Sequence, residues 1–371
     1  MPTMLQDHIK KCLRCFRGVS FVFLVFFSTY FGSIFLITPA LPLFFIAPVF
    51  ARSVCDKFIW CWKLYCVSIY EVIFQTKVSI YGDVPPNEAA TLMIMNHRTR
   101  FDWLFLFSYQ VRHASVRRYT ISLKNMLKFI PGIGWAMQIA GYIFLDRKWE
   151  EDQQTIFRCL KVFKHVNFNA QILLFPEGTD LTKNTKKRSD QFAEKNNLQK
   201  YDFVLHPRTT GFSHIVQQMK KDEILDFVVD ITIAYPGTIP QNEMDIVKGN
   251  FPSEIHFLIK KYPNSIIPSQ KEDLEDWCKE KWHEKENVLK NFYEKKSFGN
   301  DHPLLSSNES LIGALFMYSW VAWTGFHIFI LYLLWVCPWL WIYVIACTIM
   351  YVCVSKYTSG FNLLIASAMK L

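Results

Sequence analysis

The sequence predicts an α/β domain, a mixed sheet flanked by helices, joined to an N-terminal membrane-dipping hairpin and C-terminal transmembrane helices. Three observations carry this. In a chain of 371 residues, charge is absent over 18–51 and again over 310–355. The residues between those stretches alternate short apolar runs with segments of helical period. The apolar runs end in turn residues and, at three places, in charged ones.

Residues 1–17 form a basic segment with Lys10, Lys11, Arg14 and Arg17. A hairpin and connecting helix are expected over 18–74. As a helix, 19–36 would cover about 27 Å, close to a bilayer core. Pro39, Pro42 and Pro48 then break the apolar run, and Arg52, Lys57 and Lys63 follow. Basic residues on both flanks predict a segment that dips in and returns to the cytoplasmic side, with a single span as the alternative.

The α/β domain is expected over 75–300. Strands are predicted at 77–81, 91–95, 142–145, 171–175, 203–205, 228–235 and 255–259, with helices at 102–111, 133–140 and 150–164. Strands alternating with helices argue a largely parallel or mixed sheet. A last helix starts at a capping box, Ser269 with Glu272, and carries Leu274, Trp277, Cys278, Trp282, Leu289 and Phe292 on one face. Two transmembrane helices follow over 310–355, turning near Cys337 and Pro338, with a tail at 356–371. His327 lies in the first of them, and an interhelical hydrogen bond is expected for it.

Lys and Arg number 41 against 32 Asp and Glu, and hydrophobic residues make up 51%. Disordered and collagen-like chains are excluded. The basic excess suits a phospholipid surface, and no nucleic-acid partner is expected. Ten cysteines make no disulfide framework. Cys12 and Cys15 lack a second ligand pair at zinc spacing, so no metal site is expected, and reversible acylation beside the membrane suits them better. There is no Gly-x-Ser-x-Gly elbow, P-loop or His-Glu-x-x-His, which removes the lipase, nucleotide hydrolase and zinc protease readings.

The sharpest chemistry is Asn96-His97-Arg98-Thr99-Arg100-Phe101-Asp102, directly after a predicted strand. Five helical steps put His97 and Asp102 about 140° apart. They meet if His97 lies on the strand-to-helix turn and Asp102 in the first helical turn. The carboxylate would then fix the imidazole tautomer, leaving the other nitrogen to take a proton from a hydroxyl. A capping Asp beside a surface His explains the spacing equally. Gly141 to Asp146-Arg147 is a second strand end, where the planar Arg fork suits a phosphate. Phe175-Pro176-Glu177-Gly178-Thr179 is a third, where a tight glycine turn can offer amides to an anion. An ordinary surface Arg and a capped loop would explain these two.

In this order, the blocks resemble those of the glycerolipid and lysophospholipid acyltransferase family: Asn-His-x4-Asp, Gly-x-x-Phe-x-x-Arg, Phe-Pro-Glu-Gly-Thr, and a later proline block matched by Leu205-His206-Pro207. The resemblance runs over about 32–293. The phrases Pro131-Gly-Ile-Gly-Trp-Ala-Met-Gln138 and His206-Pro-Arg-Thr-Thr-Gly-Phe212 are similar to those of its lysocardiolipin acyltransferase subgroup.

The resemblance implies His97 as general base and Asp102 as its orienting partner. It implies Arg147, Glu177, Gly178 and Thr179, with Arg100, as contacts to the acceptor's phosphate and glycerol. It implies acyl-CoA as co-substrate, no cofactor, membrane phospholipids as partners, and a multi-pass endoplasmic reticulum protein whose catalytic domain faces the cytosol. Asp180 stands where many members carry arginine, so no phosphate contact transfers there. His206 reads as a polar contact or a structural hydrogen bond. The alternatives are acylation of lysophosphatidic acid, CoA-independent transacylation, and a catalytically silent lipid-binding scaffold.

Overall fold

A computed structural model describes residues 2–299, 301–358 and 360–368. An apolar helix, α1 (Pro2–Gly32), runs into a π turn (Ser33–Ile37) and a 3-10 turn (Thr38–Ala40). Pro39 and Pro42 lack backbone donors there, so the α-helical ladder stops. Helices α2 (Leu43–Ile46) and α3 (Pro48–Ser68) follow. Strands β1 (Lys77–Gly82) and β2 (Thr91–Met95) lead to α4 (Asp102–His113). Then come β3 (Tyr119–Lys124), α5 (Ile133–Ile139), β4 (Ile143–Leu145) and α6 (Trp149–His165). After β5 (Gln171–Leu174) lie α7 (Lys183–Lys195) and α8 (Thr209–Lys221). Strand β6 (Phe227–Ala234) precedes α9 (Glu243–Val247), and β7 (Glu254–Pro263) precedes α10 (Lys271–Lys295). The chain closes with α11 (Glu309–Val336), α12 (Leu340–Tyr357) and α13 (Phe361–Ala368).

The chain divides into two compact bodies. The first comprises Met1–Phe23, Ile69–Ala114 and Leu173–Asn308. Its strands run in the order β1-β7-β6-β2-β5. β1 and β7 are parallel, β2 and β6 are parallel, and β6 and β7 are antiparallel from Phe227↔Pro263 to Ala234↔His256. The mixed sheet is thus as predicted. All five residues of β2 are buried, which is why it reads as an unbroken apolar run rather than an alternating one.

Helix α10 buries Leu274, Cys278, Trp282, Leu289 and Phe292 of the face its spacing predicts, and Trp277 is half-buried. Three charged residues, Lys281, Lys285 and Glu286, are buried with them. Lys285 Nζ donates to Asp230 Oδ1, to Ile231 O at 2.8 Å and to Thr232 Oγ1 at 3.0 Å, fixing α10 on β6. On α1, a Cβ added to Gly18 would stand 2.4 Å from the carbonyl oxygens of Ile246 and Val247. Only glycine lets that helix approach the end of α9 so closely.

The second body comprises Leu24–Ser68, Ser115–Ile172 and Glu309–Leu371. It contains the parallel pair β3 and β4 and the apolar helices. Trp135 stacks on Tyr351 at 4.6 Å, and Gln138 Nε2 donates to Ser355 Oγ at 2.9 Å, so α5 is tied to α12. Three stretches are long and apolar enough to cross a membrane: Gln6–Ile46, Glu309–Val336 and Leu340–Tyr357. They mark a membrane protein, and the last two part at Cys337–Trp339, where the turn was expected. Of the expected tail, residues 359 and 369–371 lie outside the described residues, and α13 occupies most of the rest.

Several expectations are corrected. Residues 203–205 form no strand. The N–H groups of Phe203 and Val204 donate to Glu286, and that of Leu205 donates to Glu177, so carboxylates replace a ladder. The Ser269 capping box does not form. Gln270 is the N-cap of α10 and has no side-chain cap, while Ser269 Oγ accepts from Lys220 Nζ at 3.2 Å. β3, α7 and α8 were not foreseen. The ring of His327 packs edge-on to Phe27 at 5.0 Å, and its Nε2 has no hydrogen-bond partner among the described residues, in place of the expected bond.

Candidate active site

The site lies in the first body at the carboxyl end of β2, where an open α/β sheet collects ligands. Asn96 continues the strand with its side chain: Oδ1 accepts from Ile233 N at 2.8 Å and Nδ2 donates to Ile233 O at 3.0 Å. This bracket fixes where the turn leaves the sheet. Two further bonds hold the backbone of His97. Its N–H donates to Glu177 Oε1 at 3.1 Å, and its carbonyl accepts from Leu181 N at 2.7 Å.

The predicted meeting of His97 and Asp102 is present. Nδ1 of His97 lies 3.0 Å from Asp102 Oδ2. Since an ionised carboxylate only accepts, Nδ1 carries the hydrogen and Nε2 keeps its lone pair. Asp102 is fully buried in the first turn of α4, where the helix N-terminus favours negative charge. Oδ2 also accepts from Thr99 N at 2.9 Å, and Oδ1 accepts from the Tyr235 hydroxyl at 2.5 Å. Burial, then the charge of Asp102, push the Tyr235 phenol well above its ordinary range, so it stays a donor. The His97 ring stacks on Phe175 at 4.0 Å, which sets its plane, and its side chain remains 16% exposed.

The Phe-Pro-Glu-Gly-Thr block forms the tight turn expected of it, with Gly178 N donating to Phe175 O at 2.9 Å and Gly178 at φ +71°. Glu177 is turned inward. It is 3% exposed, and its oxygens accept from His97 N, Leu205 N at 3.1 Å and Trp282 Nε1 at 3.3 Å. Burial raises its carboxyl to about 7 against the opposing pull of the Leu205 and His97 amides. It is a clamp joining three segments. Thr179 is half-buried beside it, its hydroxyl donating to Asp180 at 3.3 Å.

Arg100 is held by carboxylates. Its Nη1 bonds Glu243 at 3.0 Å, and its Nε lies 3.5 Å from Asp180, so two carboxylates already balance its charge. Arg147 is exposed at the end of β4, with φ +65°, in the second body rather than the first. His206 makes a structural contact: its Nε2 lies 2.9 Å from Gln199 O, and its ring stacks on Tyr201 at 4.3 Å.

Sequence reasoning missed Tyr235, Trp282 and the Leu205 amide as members of this cluster. The one available signal was a tyrosine closing the strand predicted at 228–235. The assembled geometry can hold an imidazole in one tautomer against a buried carboxylate, with one face of the turn open.

Such a site on a mixed sheet, in a chain with three membrane-length apolar stretches, belongs to the class of membrane acyltransferases. Residues 77–236 match the Acyltransferase family and residues 245–320 the Acyltransferase C-terminus family. The chain belongs to the acyltransferase family. It is 47% identical to lysocardiolipin acyltransferase 1 of Gallus gallus, over 75% of this chain and 74% of that one. It is 38% identical to lysocardiolipin acyltransferase 1 of Danio rerio, over 94% of this chain and 95% of that one. The fold is similar to that of the 1-acyl-sn-glycerophosphate acyltransferase PlsC from Thermotoga maritima, with a TM-score of 0.50 and 17% identity, over 78% of this chain and 96% of that one.

Proposed function

We propose that the protein transfers a fatty acyl group from acyl-CoA to the free hydroxyl of a lysophospholipid, with lysocardiolipin and lysophosphatidylinositol as leading acceptors. The names of the Gallus and Danio relatives support the acceptor class. The observation that carries the mechanism is the 3.0 Å bond between His97 Nδ1 and buried Asp102.

In this scheme His97 Nε2 takes the proton of the acceptor hydroxyl as its oxygen attacks the thioester carbonyl carbon. The C–S bond then breaks, and the imidazolium proton passes to the departing thiolate, giving CoA and the acylated lipid. Asp102 stabilises the imidazolium meanwhile. Both substrates couple an apolar tail to an anionic head, so the reaction belongs at a bilayer surface. The endoplasmic reticulum membrane is the proposed site, with the first body on the cytosolic side, where acyl-CoA is found.

The test is labelled acyl-CoA offered to the purified protein in lipid nanodiscs with a panel of lysocardiolipin, lysophosphatidylinositol and lysophosphatidic acid. Acylation that His97→Ala abolishes supports the reading. A folded, inserted His97→Ala protein with near-normal transfer removes the mechanism, and preferential use of lysophosphatidic acid replaces the acceptor. Transfer between phospholipids without acyl-CoA replaces the donor.

A further inference from the structure

With Glu177 turned inward and Arg100 tied to carboxylates, the turn at 175–179 needs another cation if an anionic head group is to sit beside His97. Arg208 supplies it. Its N–H donates to Pro176 O at 2.7 Å, so its backbone is fixed to that turn. Its side chain lies over Gly178: a Cβ there would stand 3.5 Å from Cδ, 3.6 Å from Nε and 3.9 Å from Cζ. Arg208 is exposed, and among the described residues its guanidinium has no hydrogen-bond or ion-pair partner. Its neighbours differ. Arg98 Nη1 bonds Leu181 O at 3.3 Å and Gln241 Oε1 at 3.4 Å, and Lys186 bonds Asp190 and Asp202 at 3.1 Å each.

Arg208 also shares its supports with His97. Leu205, three residues earlier, bonds the same Glu177 carboxylate that holds His97 N. The Phe175 ring under His97 begins the turn that Arg208 covers. Helix α7 reaches the same segment, with Ser189 Oγ accepting from His206 N at 3.0 Å, and it brings exposed Lys187 and Arg188 nearby.

We infer that Arg208 is a substrate-binding residue that grips a phosphate over the Gly178 turn and so selects phosphate-bearing substrates. This rests on the lysophospholipid reading above. A guanidinium fork matches a phosphate with two parallel charge-assisted bonds, which a lysine cannot reproduce. The acceptor's phosphate is the better match of the two sources. In a lysophospholipid it lies only a few bonds from the reacting hydroxyl, whereas the CoA phosphates are set off by the whole pantetheine arm.

The experiment is steady-state kinetics of full-length Arg208→Ala and Arg208→Lys in nanodiscs, varying lysophosphatidylinositol and acyl-CoA separately, with monoacylglycerol as a phosphate-free acceptor. Removing charge-assisted bonds to one phosphate should raise KM for the lysophospholipid about tenfold or more in Arg208→Ala. kcat should stay within about threefold, the pattern of lost ground-state binding. Arg208→Lys should recover part of the loss, and the monoacylglycerol rate should not change. A rise confined to the KM of acyl-CoA also supports the grip and assigns the phosphate to the donor. Unchanged KM for both substrates overturns the inference, as does an equal loss with monoacylglycerol, which would mark a structural role. A wild-type protein that acylates no lysophospholipid fails at the parent reading instead, before Arg208 is tested.

Discussion

The Tyr235 hydroxyl donates to Asp102 Oδ1 at 2.5 Å, on the oxygen opposite the one that holds His97 Nδ1. Both oxygens of a buried carboxylate are therefore engaged, and its charge is shared between a phenol and an imidazole. Tyr235→Phe removes one donor with little change of shape. Oδ1 is then left without a partner in the core, and the carboxylate holds the His97 ring less firmly. kcat for acylation should fall by about tenfold or less, with the KM of both substrates little changed. Initial rates with each substrate varied check it, and an unchanged kcat would reduce Tyr235 to packing.

Asp102→Asn should act more severely, because an amide can hold the ring in the wrong tautomer. A loss of about a thousandfold in kcat is expected, with the KM for acyl-CoA little changed. Single-turnover transfer of labelled acyl chain measures it directly.

What could be read in advance divides by sequence distance. His97 and Asp102 were legible because both sit within one turn, at a spacing whose geometry can be worked out. Tyr235 was not, because 133 residues separate it from Asp102 and only the pairing of β2 with β6 brings it there. Residues 203–205 read as a strand from their apolar side chains, but the N–H groups of Phe203 and Val204 bond Glu286, 83 and 82 positions away, and that of Leu205 bonds Glu177. Glu177 read as a substrate contact only through the family resemblance, and nothing local signals that Leu205 and Trp282 enclose it. Helix α7 was masked by its basic run, since charge density hides a short apolar face.

Glu177 makes stability depend on pH. Burial lifts its carboxyl from the ordinary 4.5 to about 7, so folding favours the protonated form. The contribution is fully present below about pH 4.5, where both states are protonated. It is lost as pH rises through 7, at a total of about 3 kcal/mol. Glu177→Gln cannot ionise and lacks this slope. Its stability deficit relative to the parent should therefore shrink between pH 5 and about pH 7.5, read from thermal melts in nanodiscs. A deficit constant across that range would mean the carboxyl ionises in the fold as it does in water.

Arg100 should matter little to either stability or binding. Its bonds to Glu243 and Asp180 are half-exposed and screened, the setting in which ion pairs contribute about 0–1 kcal/mol. Arg100→Ala is expected to raise the KM for lysophospholipid by less than about threefold. A rise matching that of Arg208→Ala would return Arg100 to the phosphate site.

The buried pair of Lys285 and Asp230 is a separate test of how α10 is held. Lys285 is 1% exposed and Asp230 4%, and burial lowers the lysine's pKa while the aspartate opposes that fall. Removing one partner strands the other charge in the core. Asp230→Ala should cost about 3–5 kcal/mol, read as a loss of melting temperature. Replacing both, as Asp230→Leu with Lys285→Met, leaves no unpaired charge and should recover most of that loss. Because Trp282 on the same helix bonds Glu177, and Glu177 holds His97, the single variant should lose activity before it unfolds. The double variant should regain both together. Recovery of stability without activity would show that the registry of α10, not the absence of a stranded charge, is what the pair contributes to the site.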